Sequence, residues 1–199
     1  GLLIVYGVLV YVRFARTERR RQELRRAFGH YVAPALLSRI ERSAGTLALG
    51  GEVRELTVMF ADMRGFTAYT EAHGAAAALG LLNTLFGALG HEIVSRDGTI
   101  DKFIGDAIMA FWNAPLDVAG HAGHAAAAAL AMRARLAALN HDGTLAGLAI
   151  GVGLATGPAL VGHMGLKSRF DYSAIGDSVN VASRVEAESK RLGFDIVAA

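Results

Sequence analysis

The chain contains no cysteine, which excludes disulfides and thiolate sites of any kind. Lysine is nearly absent as well. Lys102, Lys167 and Lys190 are the only three, so a lysine beside a motif carries more weight than usual. There is no general basic surface either. Residues 13–26 hold seven arginines against Glu18 and Glu23, a local charge of +5, so the remainder carries about −3 of the formal +2. The excess positive charge is a collar at one place in the chain, and nucleic acid is therefore not an expected partner. No internal repeat is visible, and no basic stretch precedes the first apolar run as a signal peptide would require.

That apolar run, residues 2–12, is unbroken and meets the arginine collar directly. It is shorter than the roughly 20 residues that span a bilayer, but the chain starts inside it without a methionine. The expectation is that residues 1–12 are the C-terminal part of a transmembrane helix, with everything downstream of the arginines in the cytoplasm. A buried or coiled-coil helix segment is the alternative. Residues 13–51 read as a cytoplasmic helical linker or dimerisation segment. Leu24, Phe28, Tyr31, Ala35 and Ser38 recur at spacings of four and three, a weak heptad interrupted by Pro34, which suits the first turn of a new helix better than the middle of an old one. One helix is expected to end near Val32 and a second to run over residues 34–43, followed by a glycine-rich hinge at 44–51.

Residues 52–199 read as the main domain. A β-rich run at 55–61 comes first. Residues 75–95 form a helix with Leu79, Leu82, Phe86, Leu89 and Ile93 as its apolar stripe, stopped by Arg96-Asp-Gly98. Strands at 99–104 and 107–112 are joined at Gly105-Asp106 as a two-residue hairpin. An alanine-rich helix at 121–139, strands at 148–155 and 169–175 and a helix at 178–191 complete the pattern. The order β-α-β-β-α-β predicts an α+β fold, the ferredoxin-like palm, preceded by the helical segment.

Two segments place one aspartate each where an apolar strand gives way to a turn: Phe60-Ala-Asp-Met-Arg-Gly-Phe-Thr67 and Asp101-Lys-Phe-Ile-Gly-Asp106. In a palm the first strand lies beside the hairpin, so Asp62 and Asp106 can reach one point. Hard oxygen ligands there suit Mg²⁺ or Mn²⁺, which keep water and substrate phosphates as further ligands. Either aspartate alone is as well explained by its turn. The residues after Asp62 open toward a helix, and a helix N-terminus preceded by glycine is an anion site. Asn180 and Arg184 are four apart, on one helix face, with Asp177 or Ser178 as a natural N-cap. His121 and His124 lack a third metal ligand and read as surface positions at a helix start. Gly151-Val-Gly153 lacks the rest of a dinucleotide fingerprint and reads as a tightly packed strand. Gly162, Gly165 and Lys167 fit a phosphate approach or a hairpin turn.

Together these segments, with Ala155-Thr-Gly-Pro158 and Ile175-Gly-Asp-Ser-Val-Asn-Val-Ala-Ser-Arg184, resemble the class III nucleotidyl cyclases over residues 52–199. Ala27-Phe-Gly-His-Tyr-Val-Ala-Pro34 resembles the transducing segment that precedes such domains. The resemblance implies that Asp62 and Asp106, with the Met63 carbonyl, bind two Mg²⁺ or Mn²⁺ ions. Amides around Gly65, Phe66 and Thr67 would hold the terminal phosphates. Arg184 would neutralise charge developing at the α-phosphate and Asn180 would orient the ribose. It also implies a homodimer whose two sites each take the aspartates from one protomer and Asn180, Arg184 and the base-reading residues from the other.

Lys102 corresponds to the base-reading position, and an ammonium donates to adenine N1, which favours ATP. The partner position holds Ser173 where the commonest pattern has Asp. A hydroxyl can accept from the adenine amino group, yet can also donate to a guanine carbonyl. Lys167 lies where the family often has a basic residue. The resemblance thus implies an adenylate cyclase of the bacterial membrane-anchored type, at the cell membrane with its catalytic domain in the cytoplasm. A guanylate or dual-specificity cyclase and a non-catalytic nucleotide-binding module are the alternatives. The chain is also expected to stop short of the family's final strands.

Overall fold

The computed structural model describes residues 50–143, 145, 147–166 and 169–199. Their order is β1 (Gly50–Arg64), α1 (Phe66–His73), α2 (Ala75–Val94), β2 (Thr99–Ile104), β3 (Ala107–Trp112), α3 (His121–His141), β4 (Ala149–Leu166), β5 (Arg169–Ile175), α4 (Asp177–Leu192) and β6 (Ile196–Ala198). One sheet runs β2-β3-β1-β4-β5, with β6 parallel to the first part of β4. β1 is antiparallel to β3 and β4, and β2 to β3. The order β2-β3-β1-β4 is that of the ferredoxin-like palm. The expected membrane segment, the linker helices and most of the hinge lie outside the described residues.

Side-chain alternation assigns the two faces of the sheet. In β3, Ile108, Ala110 and Trp112 join one core cluster while Met109 and Phe111 join the other, so the strand is buried on both sides. In β1 the odd residues Met59, Ala61 and Met63 face the first cluster, with Leu85, Leu89 and Ile93 of α2 and Met132 of α3. The even residues Leu56 and Val58 face the second, with Val161, Ala174 and Ala182. Asp62 continues the even series and so lies on the side covered by α4.

Several boundaries differ from the sequence-based expectation. β1 begins at Gly50, inside the expected hinge, and passes Asp62 to end at Arg64; β4 runs to Leu166 rather than residue 155. Each extends the other, because they pair without interruption from Gly50↔His163 to Arg64↔Ala149. The stripe of α2 is rotated: Leu81, Leu85, Leu89 and Ile93 are buried and Leu79 is 61% exposed. α2 is long and apolar enough to cross a membrane by length and composition, but those buried leucines make it a core helix. Neither Asp177 nor Ser178 caps α4. Gly176 takes the cap position, and the Ser178 hydroxyl donates to the Pro158 carbonyl at 2.8 Å, tying the helix start to β4.

Candidate active site

Asp62 and Asp106 are brought together by the register of the sheet. Ala61 pairs with Ile108 across β1 and β3, and Ile104 pairs with Ala107 across the hairpin. The two-residue turn between them, with Gly105 at φ 63°, therefore holds Asp106 beside the end of β1. Both carboxylates are half-buried. Burial, and after it the charge of Asp106, push the Asp62 carboxyl above its ordinary value; the Met63 N–H donated to it and the cations Lys190 and Arg64 oppose the shift. The Met63 side chain is buried in the first core cluster, which leaves its backbone to serve the site. Gly65, at φ 88°, opens α1, whose first N–H groups have no acceptor within the helix. Phe66 packs on the core, while Thr67 is exposed.

The C-terminal half of α4, the helix that carries Asn180 and Arg184, lies against the same end of the sheet, while its start is tied to Pro158 further along β4. Both residues are exposed, and the Arg184 guanidinium is 3.8 Å from Asp177 at the helix start. Closer approach comes from Glu186. A Cβ placed on Gly153 would lie 2.3 Å from the Glu186 nitrogen and 2.4 Å from the Ala182 oxygen, so α4 rests directly on the backbone of β4. This is the tight strand expected of Gly151-Val-Gly153. Burial, then the charge of Asp62, push the Glu186 carboxyl up, against Arg64 and Lys190. Arg64 donates to Ser189 Oγ at 2.8 Å and to the Phe194 carbonyl at 2.7 Å, tying β1 to the last turn of α4 and to the connection that follows it.

A second group of polar residues forms where β5 meets β2. Ser173 is buried, and its hydroxyl donates to Asp101 Oδ2 at 2.6 Å. The other Asp101 oxygen lies 3.4 Å from Lys102 Nζ. Lys102 is partly exposed, with 44% of its side chain accessible, while the Asp101 side chain has none. Burial pushes the Asp101 carboxyl up; the Ser173 hydrogen bond and Lys102 oppose this. The two residues singled out for base reading are thus brought together by a third.

Residues 51–197 match the model of the adenylate and guanylate cyclase catalytic domain. The chain belongs to this family. It is 39% identical over 148 residues to adenylate cyclase 1 of Rhizobium meliloti (strain 1021), covering 73% of this chain and 22% of that protein. Among solved structures it resembles the adenylyl cyclase CyaB from P. aeruginosa, with a TM-score of 0.67 and 36% identity over 70% of this chain and 74% of that one. The guanylyl cyclase Cya2 is similar to nearly the same degree, with a TM-score of 0.66 and 33% identity over 70% and 73%. Similarity of fold therefore does not choose between the two purines.

In this cyclase domain the donor set fits a divalent cation. Two carboxylates are held together and partly desolvated, so that one raises the pKa of the other, a cost that a bound dication would offset. Among the described residues no cluster of three or more His, Asp or Glu side chains forms a metal site. The backbone carbonyl of Met63, water and substrate phosphate would complete the set. His121 is not a free surface residue: its Nδ1 is 2.7 Å from Thr57 Oγ1, and His124 Nδ1 is 3.2 Å from Asp97. Leu166 pairs with Arg169, so the segment around Gly165 is a hairpin, and Lys167 lies outside the described residues.

Asp101, Arg64 and Glu186 were not singled out from the sequence. Asp101 had one signal: an acid inside the strand Thr99–Ile104 beside a rare lysine. Glu186 shows no such mark, because an acid on a helix ordinarily faces solvent.

Proposed function

We propose that the chain is an adenylate cyclase, converting ATP to 3′,5′-cyclic AMP and pyrophosphate at sites shared across a homodimer. The observation that carries this reading is the pair Asp62 and Asp106 at one end of the sheet, in a cyclase domain that retains Asn180 and Arg184. Holding two carboxylates together costs stability, and a bound divalent cation serving the reaction would offset that cost.

Mg²⁺ or Mn²⁺, two per site and held by Asp62, Asp106 and the Met63 carbonyl, would supply positive charge for the triphosphate and for activating the ribose 3′-hydroxyl. The amides of Gly65, Phe66 and Thr67 hold the terminal phosphates at the start of α1. From the partner protomer, Asn180 orients the ribose and Arg184 takes up the charge that develops as the 3′-oxygen attacks the α-phosphorus and the bond to pyrophosphate breaks. Lys102 donates to adenine N1 and Ser173 faces the amino group. Lys167 is read as an auxiliary phosphate contact.

The arginine collar after the apolar run of residues 2–12 supports attachment to the cell membrane, with residues 13–51 as linker and the catalytic domain in the cytoplasm. Purified protein given ATP or GTP with Mg²⁺ or Mn²⁺, and assayed for cyclic nucleotide, tests the activity. Cyclic AMP is the expected product. Preferential formation of cyclic GMP overturns the substrate assignment, and absence of either product overturns the enzymatic one.

A further inference from the structure

β2 and β5 stand at opposite ends of the hydrogen-bonded strand order, yet they touch. What joins them is the hydrogen bond from Ser173 to Asp101, whose 2.6 Å length is that of a hydroxyl donating to a charged acceptor. Asp101 owes its direction to an irregularity in β2. The pairing of β2 with β3 passes from Ile100↔Ala110 to Lys102↔Met109 and skips Asp101. Such a bulge re-aims a side chain that regular alternation would send elsewhere. The outcome is a fully covered carboxylate between the two residues read as facing the base.

We infer that Asp101 is a positioning residue for base selection: by taking the single proton of the Ser173 hydroxyl, it makes that hydroxyl an acceptor toward the purine. The inference rests on the proposed reading of Lys102 and Ser173 as base contacts. A serine hydroxyl has one proton and two lone pairs, and an ionised carboxylate can only accept. With its proton committed to Asp101, Ser173 presents lone pairs alone. Adenine meets this pair of groups well, since its N1 accepts from Lys102 and its 6-amino group donates to Ser173. Guanine meets it badly at both points, because its N1–H faces an ammonium and its O6 faces a lone pair. Asp101 thereby removes the ambiguity that a hydroxyl in place of the usual acid would create. It also sets a negative charge 3.4 Å from the Lys102 ammonium.

The test is the Asp101→Asn substitution in the full chain. The amide has the same shape, and the ammonium of Lys102 attracts its carbonyl oxygen. Its NH₂ group is then left facing Ser173, which must accept from it and can donate its own proton to guanine O6. The ratio of kcat/KM for ATP to that for GTP should fall by about tenfold or more, the scale on which a buried hydrogen-bonding edge rejects a mismatched partner. The same ratio is read at equilibrium by competition binding of ATP and GTP, so a variant with impaired turnover still reports.

A purely structural role for Asp101 is separated by repeating the substitution in the Ser173→Ala background, where no hydroxyl remains to be oriented and the ratio should not move further. An unchanged ratio in Asp101→Asn, or the same fall in both backgrounds, overturns the inference while leaving the ATP reading in place. A wild-type preference for GTP overturns both. Should Asp101→Asn fail to fold, Ser173→Thr and Ser173→Val decide. Threonine keeps a proton for Asp101 and must keep the ratio, valine must lose it, and a ratio retained by valine overturns the inference.

Discussion

Asp62 and Gly151 face each other across β1 and β4, and the space a side chain on Gly151 would occupy is taken by Glu186 and Arg64. A Cβ there would be 2.7 Å from Glu186 Oε1 and 3.2 Å from Arg64 Nε. The helix carrying Asn180 and Arg184 is therefore seated on the strand pair that carries Asp62. In the proposed dimer those residues serve different sites, so each subunit connects one site to the other through a rigid contact.

That seat is tightest at Gly153, where an added Cβ meets backbone atoms of α4 rather than movable side-chain ends. Gly153→Ala should destabilise the domain by about 1–3 kcal/mol, the usual cost of overpacking, and should lower turnover by displacing Asn180 and Arg184. Gly157→Ala is the comparison, since its Cβ would lie 3.4 Å from Ser178 Cβ, in ordinary contact. Thermal melting distinguishes the two. Equal melting temperatures would mean that α4 does not lie where the contact at Gly153 puts it.

The Asp62 carboxyl predicts opposed effects on stability and activity. Its folded pKa lies above the ordinary 3.8 because of burial and Asp106. The folded state therefore holds the proton more tightly than the unfolded chain, so the cost of ionisation is absent below 3.8, grows as the pH rises above it and is fully present once the pH has passed the folded pKa. Asp62→Asn should melt higher than wild type in EDTA at pH 7, and the difference should shrink as the pH falls toward 4. Mn²⁺ should raise the melting temperature of wild type and not of the variant, whose turnover should drop by about 10²-fold or more. Activity close to wild type would remove Asp62 from the proposed metal site.

Lys102→Glu puts an acceptor where a donor faces N1. A mispaired buried edge costs about 1–3 kcal/mol, so the ATP to GTP ratio of kcat/KM should fall by about 5- to 150-fold. Steady-state kinetics with both nucleotides checks this, and an unchanged ratio means that Lys102 does not read the base.

Sharing of sites across the dimer is tested by mixing. Asp62→Ala removes the metal half of a protomer and Arg184→Ala its transition-state half, so in a mixed dimer one site carries both lesions and the other none. With random exchange, an equal mixture of the two inactive variants should recover about a quarter of wild-type activity. Co-purification through a tag on one variant establishes exchange. Mixed dimers that form and stay inactive would place both residues in one site.

What could be read from the chain alone was whatever local pattern and turn chemistry dictate. The hairpin at Gly105-Asp106 follows from a two-residue turn with glycine between two short strand-like runs. Asp62 and Asp106 were legible as a pair because the palm order sets β1 beside that hairpin. The full length of β1 and β4 was not legible, since glycines and a proline weaken the local strand signal and only mutual pairing over the whole length restores it. Nor was the buried stripe of α2, which depends on how the helix is rotated against the sheet rather than on its period. The meeting of Asp101 with Ser173 belongs wholly to tertiary structure: 72 positions separate them, and a bulge in one edge strand together with the return of the other across the sheet brings them within a hydrogen bond. Local sequence carries the period of an element, while the face it turns to its neighbours is decided by what packs against it.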